Sequence, residues 1–415
     1  MINYNKFKLQ NGLKVIFHQD TSTPMVCVNI LYNVGARDEN PDKTGFAHLF
    51  EHLMFGGSKN IPDYDEIVEK AGGENNAFTN NDITNYYLTL PKEFLELAFW
   101  LESDRMNELG FSEKSLSVQR NVVIEEFKQH YLNQPYGDVS HLLKPLAYKV
   151  HPYQWNTIGK EVSHIENASM DDVKAFFYKF YRPNNAILVV AGNATLEDVE
   201  RLAQKWFEPI PKGEEYVRNL PKEPKQNECR TLHVERDVPA NAFYKAYHIC
   251  NRMDTDYYAF DLISDILSNG KSSRLYNELV KRQQLFTEIN AYITGDADEG
   301  LFIFTGKLNE NISMQQAEET IDKEIEKLKT IPVSELELQK VKNKLETHYV
   351  FSLYKPIERA MNLAYYEWLG DSDLINTEPE NYQKVSSEQI QRLAQATFVP
   401  ENSSALYYHK KELSK

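Results

Sequence analysis

The sequence predicts a mixed α/β (α+β) protein built from two related domains. Three observations carry that prediction. Strand-like and helix-like segments alternate along the chain, which argues for an α/β or α+β build. The stretch 208–230 gathers Pro209, Pro211, Pro221 and Pro224 among Lys, Glu, Gly and Asn. That is the composition of a connector in which proline limits collapse. The segment from Phe46 to Gly57 also resembles the segment from Ala259 to Gly270. Both are helical in pattern, end at glycine and precede a further helix and paired strands. In that register His48, Glu51 and His52 face Asp261, Ser264 and Asp265, so the pattern reads as a duplication with the chemistry kept in the first copy. Domains are expected over 1–210 and 231–415, joined by a linker over 211–230. A chain of 415 residues has room for two or three domains at roughly 150 residues each.

The elements follow in order. Phe7-Lys8-Leu9 and Leu13-Lys14-Val15-Ile16-Phe17 flank Asn11-Gly12, a strong hairpin signal. Met25 to Tyr32 is a further β-rich run. Helices are expected over 43–56, 64–71, 92–108 and 114–131, with a strand over Tyr86 to Leu90. A loop is expected over 132–168, then a helix near 170–180. Ala186-Ile187-Leu188-Val189-Val190-Ala191-Gly192 reads as a buried strand. A helix over 195–206 closes the first half. Beyond the linker come strands near 231–249, helices over 256–268 and 272–284, and strands over 287–294 and 299–307. Helices over 313–328, 334–348, 356–368 and 386–396 lead to a last strand over 403–409.

Composition narrows the function. The apolar share is 41% and the charged share 26%, which excludes a collagen, a disulfide miniprotein and a wholly disordered chain. Acids outnumber bases 61 to 46, for a formal charge of −15. A nucleic-acid partner would call for a basic face, so none is expected. Cys27, Cys229 and Cys250 are odd in number, far apart and lack a CxxC pair, which fits a reducing compartment. No run approaches 18 apolar residues, and the first residues lack the apolar core of a signal peptide. A cytoplasmic location and no membrane span are the expectations.

His48-x-x-Glu51-His52 is the sharpest chemical signal. On a helix, positions i, i+3 and i+4 share one face, so two imidazoles four apart can hold one metal ion. Zinc suits such ligands, and a catalytic site takes three from the protein and leaves a position for water. Glu51 lies beside the second histidine, where a carboxylate can take a proton from that water and later deliver it to a leaving amine. Leu49, Phe50, Leu53, Met54 and Phe55 make the helix a buried one. Unpaired charge there would be costly, and a metal supplies the compensation. A third ligand is needed. Glu125 and Glu126, in the helical stretch from Gln119 to Phe127, are candidates. Adjacent helical residues point about 100° apart, so only one of them is expected to face the ion.

The inverted motif and the downstream acid resemble those of the inverzincins, the M16 metallopeptidases that include pitrilysin and the mitochondrial processing peptidase. The likeness extends over nearly the whole chain. Phe7 to Phe17 resembles the family's opening hairpin. Gly72-Gly73-Glu74-Asn75-Asn76-Ala77-Phe78-Thr79 resembles its Gly-Gly-x-x-Asn-Ala-x-Thr stretch. His151-Pro152-Tyr153, the run from Phe180 to Asn193, and Lys271-Ser272-Ser273-Arg274-Leu275 match as well. The resemblance implies two α/β-roll domains forming one half of a clamshell. It implies Zn2+ held by His48, His52 and Glu126, because the family's third ligand closes an Arg-x-x-x-x-x-Glu pattern that here runs from Arg120 to Glu126. Glu51 is then the general base and later acid. The family lays its peptide as an added strand on a sheet edge, and Asn76 and Ala77 fall on the matching positions.

Two departures stand out. Gln119 occupies a place where the family often has a supporting glutamate. Active members also draw an arginine and a tyrosine, seven residues apart, from the second half of the fold. Val280 and Thr287 fall on those places, and Arg282 is off register. The resemblance therefore implies the zinc-bearing subunit of a heterodimer whose partner, a second M16-type subunit, supplies the Arg/Tyr pair. A homodimer is the less favoured arrangement. The implied activity is zinc-dependent endopeptidase cleavage of short or unfolded peptides. The alternatives are a structural subunit of the same fold and a dedicated precursor-processing protease.

Blander readings cover the rest. The remaining histidines show no ligand spacing, and His151 before Pro152 suits a turn. Cys250 lies in a strand-like run and suits packing. Asp296-Ala297-Asp298-Glu299 suits a hairpin loop better than a calcium site. Gly56-Gly57-Ser58-Lys59 follows a helix instead of opening one, so it is no phosphate loop.

Overall fold

The structure, a computed structural model, describes residues 1–411. Alternating and continuous apolar runs become strands, and runs with an apolar stripe become helices. In chain order the elements begin with β1 (Asn5–Lys8), β2 (Lys14–Gln19), β3 (Met25–Tyr32), α1 (Phe46–Leu53), α2 (Tyr64–Lys70), β4 (Glu74–Thr79) and β5 (Thr84–Pro91). Next are α3 (Leu95–Asn107), α4 (Glu113–Phe127), α5 (Val139–Ala147), α6 (Val162–Glu166), α7 (Met170–Phe180), β6 (Ala186–Gly192) and α8 (Leu196–Trp206). Then come β7 (Arg230–Arg236), β8 (Ala242–His248), α9 (Tyr257–Ser268), β9 (Phe286–Ile293) and β10 (Leu301–Leu308). The chain closes with α10 (Met314–Thr330), α11 (Glu335–Ser352), α12 (Pro356–Leu369), α13 (Leu374–Gln383), α14 (Ser387–Thr397) and β11 (Ser403–Lys410).

The chain divides into two compact units, each assembled from three stretches. The first takes 1–129, 155–220 and 350–377, and the second takes 130–154, 221–349 and 378 onward. Segment 130–154, with α5, thus packs in the second unit, and segment 350–377, with α12, packs in the first.

The first unit is organised by a six-stranded sheet in the order β1-β2-β6-β3-β5-β4. β2 and β6 are parallel and the other neighbours antiparallel. Asn11-Gly12 turns the β1–β2 hairpin, with Gly12 at φ +96°, a conformation that glycine adopts without a Cβ penalty. β6 is buried along its full length, as its unbroken apolar run predicts. α12 packs on β3 and β6, and α1 lies beside β4. β4 is one edge of the sheet and β1 the other.

The second unit holds a five-stranded sheet in the order β7-β11-β8-β10-β9, in which β7 and β11 are parallel and the rest antiparallel. This is the order and pairing sense of β2-β6-β3-β5-β4. A shared wiring diagram is stronger support for duplication than the likeness of two helices.

Three expectations need correction. The stretch 132–168 is not a continuous loop but carries α5 and α6. α5 has nine residues with Pro145 inside it, so its periodicity is short and punctuated. α13, with Pro379 inside it, forms where the sequence pattern predicts no element, for the same reason. The helix expected over 272–284 forms as a π-helical turn over Tyr276–Arg282.

α12 is tied to the first sheet by a buried acid. Glu367 is 6% exposed and accepts Lys6 Nζ and Lys14 Nζ, both at 2.7 Å, and Ser372 Oγ at 2.6 Å. Burial opposes its charge, but the hydrogen bonds from Lys14, Lys6 and Ser372 prevail and hold the carboxyl down to about 2. The folded value lies below the unfolded one, near 4.5. The stabilisation is therefore complete above the unfolded value and is lost as pH falls through the folded one. Glu367→Gln is expected to cost about 2 kcal/mol at neutral pH, with exposed lysines screening the rest, and almost nothing near pH 2. Thermal midpoints of both proteins across that window measure it. Parallel curves from neutral pH down to acid would refute it.

Candidate metal centre

α1 is short, eight residues, and buries Phe46, Ala47, Leu49, Phe50 and Leu53. Phe50 stacks on Phe176 and Tyr181, with ring centroids 4.9 and 5.1 Å away. The packed stripe fixes the rotation of the helix and leaves His48, Glu51 and His52 on its other face. Gly45 precedes α1 at φ +90° and offers no capping side chain. The buried carboxyl group of Glu39 replaces it, accepting the N–H groups of Gly45 and Ala47 at 2.9 and 2.8 Å. Sequence reasoning missed Glu39, which lies seven residues upstream of the helix and outside any capping pattern.

α4 brings the acid. Ser112 caps it by accepting the Ser115 N–H at 3.0 Å. Arg120 Nη1 donates to the carbonyls of Ala168 and Glu166 at 3.0 and 3.2 Å. Glu126 then lies against both histidines, with Oε2 at 3.6 Å from His48 Nε2 and 3.4 Å from His52 Nε2. The two Nε2 atoms are 3.3 Å apart. Glu125 is 71% exposed and pairs with Lys128 at 2.7 Å. Helical twist alone separates the two acids. Gln119 lies two turns before Glu126 and is half-buried.

These three atoms fit one zinc ion. Bonds of about 2.0–2.2 Å in tetrahedral array place neighbouring ligand atoms roughly 3.3–3.6 Å apart, which is the spacing of the triangle. The donor chemistry fits as well. Burial, and then the neighbouring His52 imidazole, push His48 down to about 4, so it presents a free lone pair at neutral pH. Its Nδ1 is buried without a hydrogen-bond partner, so no hydrogen bond on that side of the ring fixes its orientation. Among the described residues no other His, Cys, Asp and Glu cluster has metal-binding spacing.

Glu51 sits beside the triangle. Burial raises its carboxyl, and a hydrogen bond from Thr79 Oγ1 at 2.6 Å works the other way. Thr79 is the second residue that the sequence did not reveal. It closes the glycine-rich stretch, but nothing in the spacing names its partner. Asn76 and Ala77 lie on β4 at the sheet edge, where the Ala77 N–H meets Asn76 Oδ1 at 2.8 Å.

The second unit carries different groups at the corresponding places. Asp261 accepts Tyr382 Oη at 2.6 Å and Asp265 accepts Asn269 Nδ2 at 2.5 Å. Each acid thus has a side-chain partner within that unit. Val280 is partly buried against that unit's core, and Thr287 is exposed on β9. Arg282 is exposed and paired with Glu278 one turn away.

The chain as a whole is similar to known proteins. Residues 14–160 match the family model described as Insulinase (Peptidase family M16), and 167–345 match that described as Peptidase M16 inactive domain. The zinc protease PqqE of Helicobacter pylori is 31% identical over 405 residues, covering 96% of this chain and 91% of its own. The beta subunit of the mitochondrial-processing peptidase of Saccharomyces cerevisiae is 27% identical over 365 residues, covering 83% and 78%. A crystal structure of a protease from Helicobacter pylori superposes with TM-score 0.93 at 30% identity, over 98% of this chain and all of that one. The periplasmic protease PqqL of Escherichia coli shares the fold, with TM-score 0.80 at 17% identity, over 98% of this chain and 48% of its own.

Proposed function

Because the chain belongs to peptidase family M16, whose two domain types span most of it, we propose that it is a zinc-dependent endopeptidase of short or unfolded peptides. The observation that carries this reading is the convergence of His48 Nε2, His52 Nε2 and Glu126 Oε2, with the Glu51 carboxylate next to them.

In this reading His48, His52 and Glu126 hold Zn2+. Bound there, zinc would polarise the substrate carbonyl and make a water acidic enough to give up its proton near neutral pH. Glu51 takes that proton as the water oxygen adds to the carbonyl carbon. When the C–N bond breaks, Glu51 returns the proton to the departing nitrogen. The raised carboxyl of Glu51 suits a group that must both accept and donate. The free edge of β4, at Asn76 and Ala77, receives the peptide as an added strand. Main-chain pairing there gives affinity with little side-chain selectivity.

The chain acts as the metal-bearing subunit of a heterodimer. The second M16-type subunit supplies the arginine and tyrosine that Val280 and Thr287 cannot replace. That a mitochondrial-processing peptidase is described by subunits supports pairing. Among the described residues no helix is long and apolar enough to cross a membrane. A structural subunit of this fold is the rival, favoured by those same two positions and by the match of 167–345 to the inactive domain. The discriminating assay follows a quenched fluorescent unstructured peptide with zinc-loaded protein, alone and with a second M16-type chain of the same organism. Cleavage that a chelator stops and zinc restores is expected, strongest in the mixture. Zinc-loaded protein that cleaves in neither arm would leave the structural subunit as the reading.

A further inference from the structure

We infer that Thr79 is a positioning residue for Glu51, an inference that rests on the peptidase reading of this site. Thr79 ends β4. Glu74, Asn76 and Phe78 are exposed along that strand, while Asn75, Ala77 and Thr79 alternate to its half-buried face. From that face Thr79 Oγ1 donates to Glu51 Oε2 at 2.6 Å. Among the described residues no other group hydrogen-bonds the Glu51 carboxylate. One oxygen is therefore occupied, and Oε1 is left for the proton in transit.

The donor itself is held firmly. Thr79 pairs with Thr84 across the β4–β5 ladder. In the turn that follows, Asn80 Oδ1 accepts the N–H groups of Asp82 and Ile83 at 2.8 and 2.9 Å. The carbonyls of Asn80 and Asn81 accept the N–H groups of Ala36 and Arg37 at 3.1 and 2.9 Å. Arg37 and Asp82 form a buried ion pair at 3.0 Å. With the backbone clamped on both sides, a β-branched side chain has little χ1 freedom, so the hydroxyl points one way. Glutamate has three rotatable side-chain bonds and no such restriction of its own. The hydrogen bond transfers the order of the turn to the base. It also ties the base, on α1, to β4, the strand that carries Asn76 and Ala77, so peptide seat and proton acceptor are joined by one hydrogen bond.

The test compares Thr79→Val, which keeps the shape and loses the donor, with Thr79→Ser, which keeps the donor. Both should bind zinc as the parent does. Thr79→Val should lower kcat by about 10- to 100-fold with KM within about threefold, the size of effect seen when a supporting hydrogen bond to a reacting group is removed. Thr79→Ser should stay within about fivefold of the parent in kcat, since the bond is retained with a looser rotamer. A crystal structure of zinc-loaded Thr79→Val should show the Glu51 carboxylate displaced by about 1 Å or more, enough to cost such a factor. Parental kcat in Thr79→Val, a change confined to KM, or an unmoved Glu51 in that crystal would each overturn the inference. A zinc-loaded parent without turnover would count against the peptidase reading alone, and the crystal comparison would still decide for or against Thr79.

Discussion

Glu51→Gln is expected to retain zinc at the parental stoichiometry and to lose peptide cleavage by between about 10²- and 10⁴-fold, the usual contribution of a general base. The substitution keeps the length and planarity of the side chain, and the amide oxygen can still accept from Thr79 Oγ1. The packing of α1 does not depend on Glu51, which lies opposite the buried stripe of Phe46, Leu49, Phe50 and Leu53. What disappears is the capacity to take and return a proton. Zinc content by elemental analysis and kcat on an unstructured peptide report the two halves of the expectation separately. Substantial turnover in the variant would remove Glu51 from the mechanism. Loss of zinc would instead place it among the ligands.

The second large effect concerns Glu126. Glu126→Ala should weaken zinc binding by more than about 100-fold, beyond what the loss of a merely supporting group costs, and activity should fall with it. Glu125→Ala should change neither, because that carboxylate is exposed and engaged with Lys128. The pair makes a stringent control: same residue type, adjacent positions, opposite outcomes. Zinc retained after dialysis against a weak chelator distinguishes them. Equal retention in both variants would show that the ion is held without Glu126.

Much of the frame could be read from local signals. The Asn11-Gly12 hairpin and the unbroken run of β6 need only short-range rules, and both formed at the expected residues. Helices with a long, clean stripe, such as α7 and α14, were equally plain. The helices that local signals hide are short or interrupted by proline. α5 and α13 are short and contain proline, which in isolation argues against a helix and is overruled by packing. The π-helical turn over 276–282 keeps a nearly helical pattern while shifting its hydrogen bonds.

The site divides along the same line. His48, Glu51 and His52 are legible together because helical spacing is a local property. Glu125 and Glu126 could be separated by resemblance to a family but not by residue type, since the choice depends on how α4 is rotated against α1. Glu39 and Thr79 act across turns and strands, and no local pattern announces such a partner.

The two sheets share one wiring diagram, yet among the described residues only the first unit carries the histidine pair and its acid. The scaffold therefore owes its shape to its apolar interiors and not to an ion. Chemistry of this kind is separable from the frame: three side chains can be gained or surrendered while strands and helices stay where they are. A duplicated copy released from that duty is free to drift toward other work, such as gripping a polypeptide or meeting a companion chain.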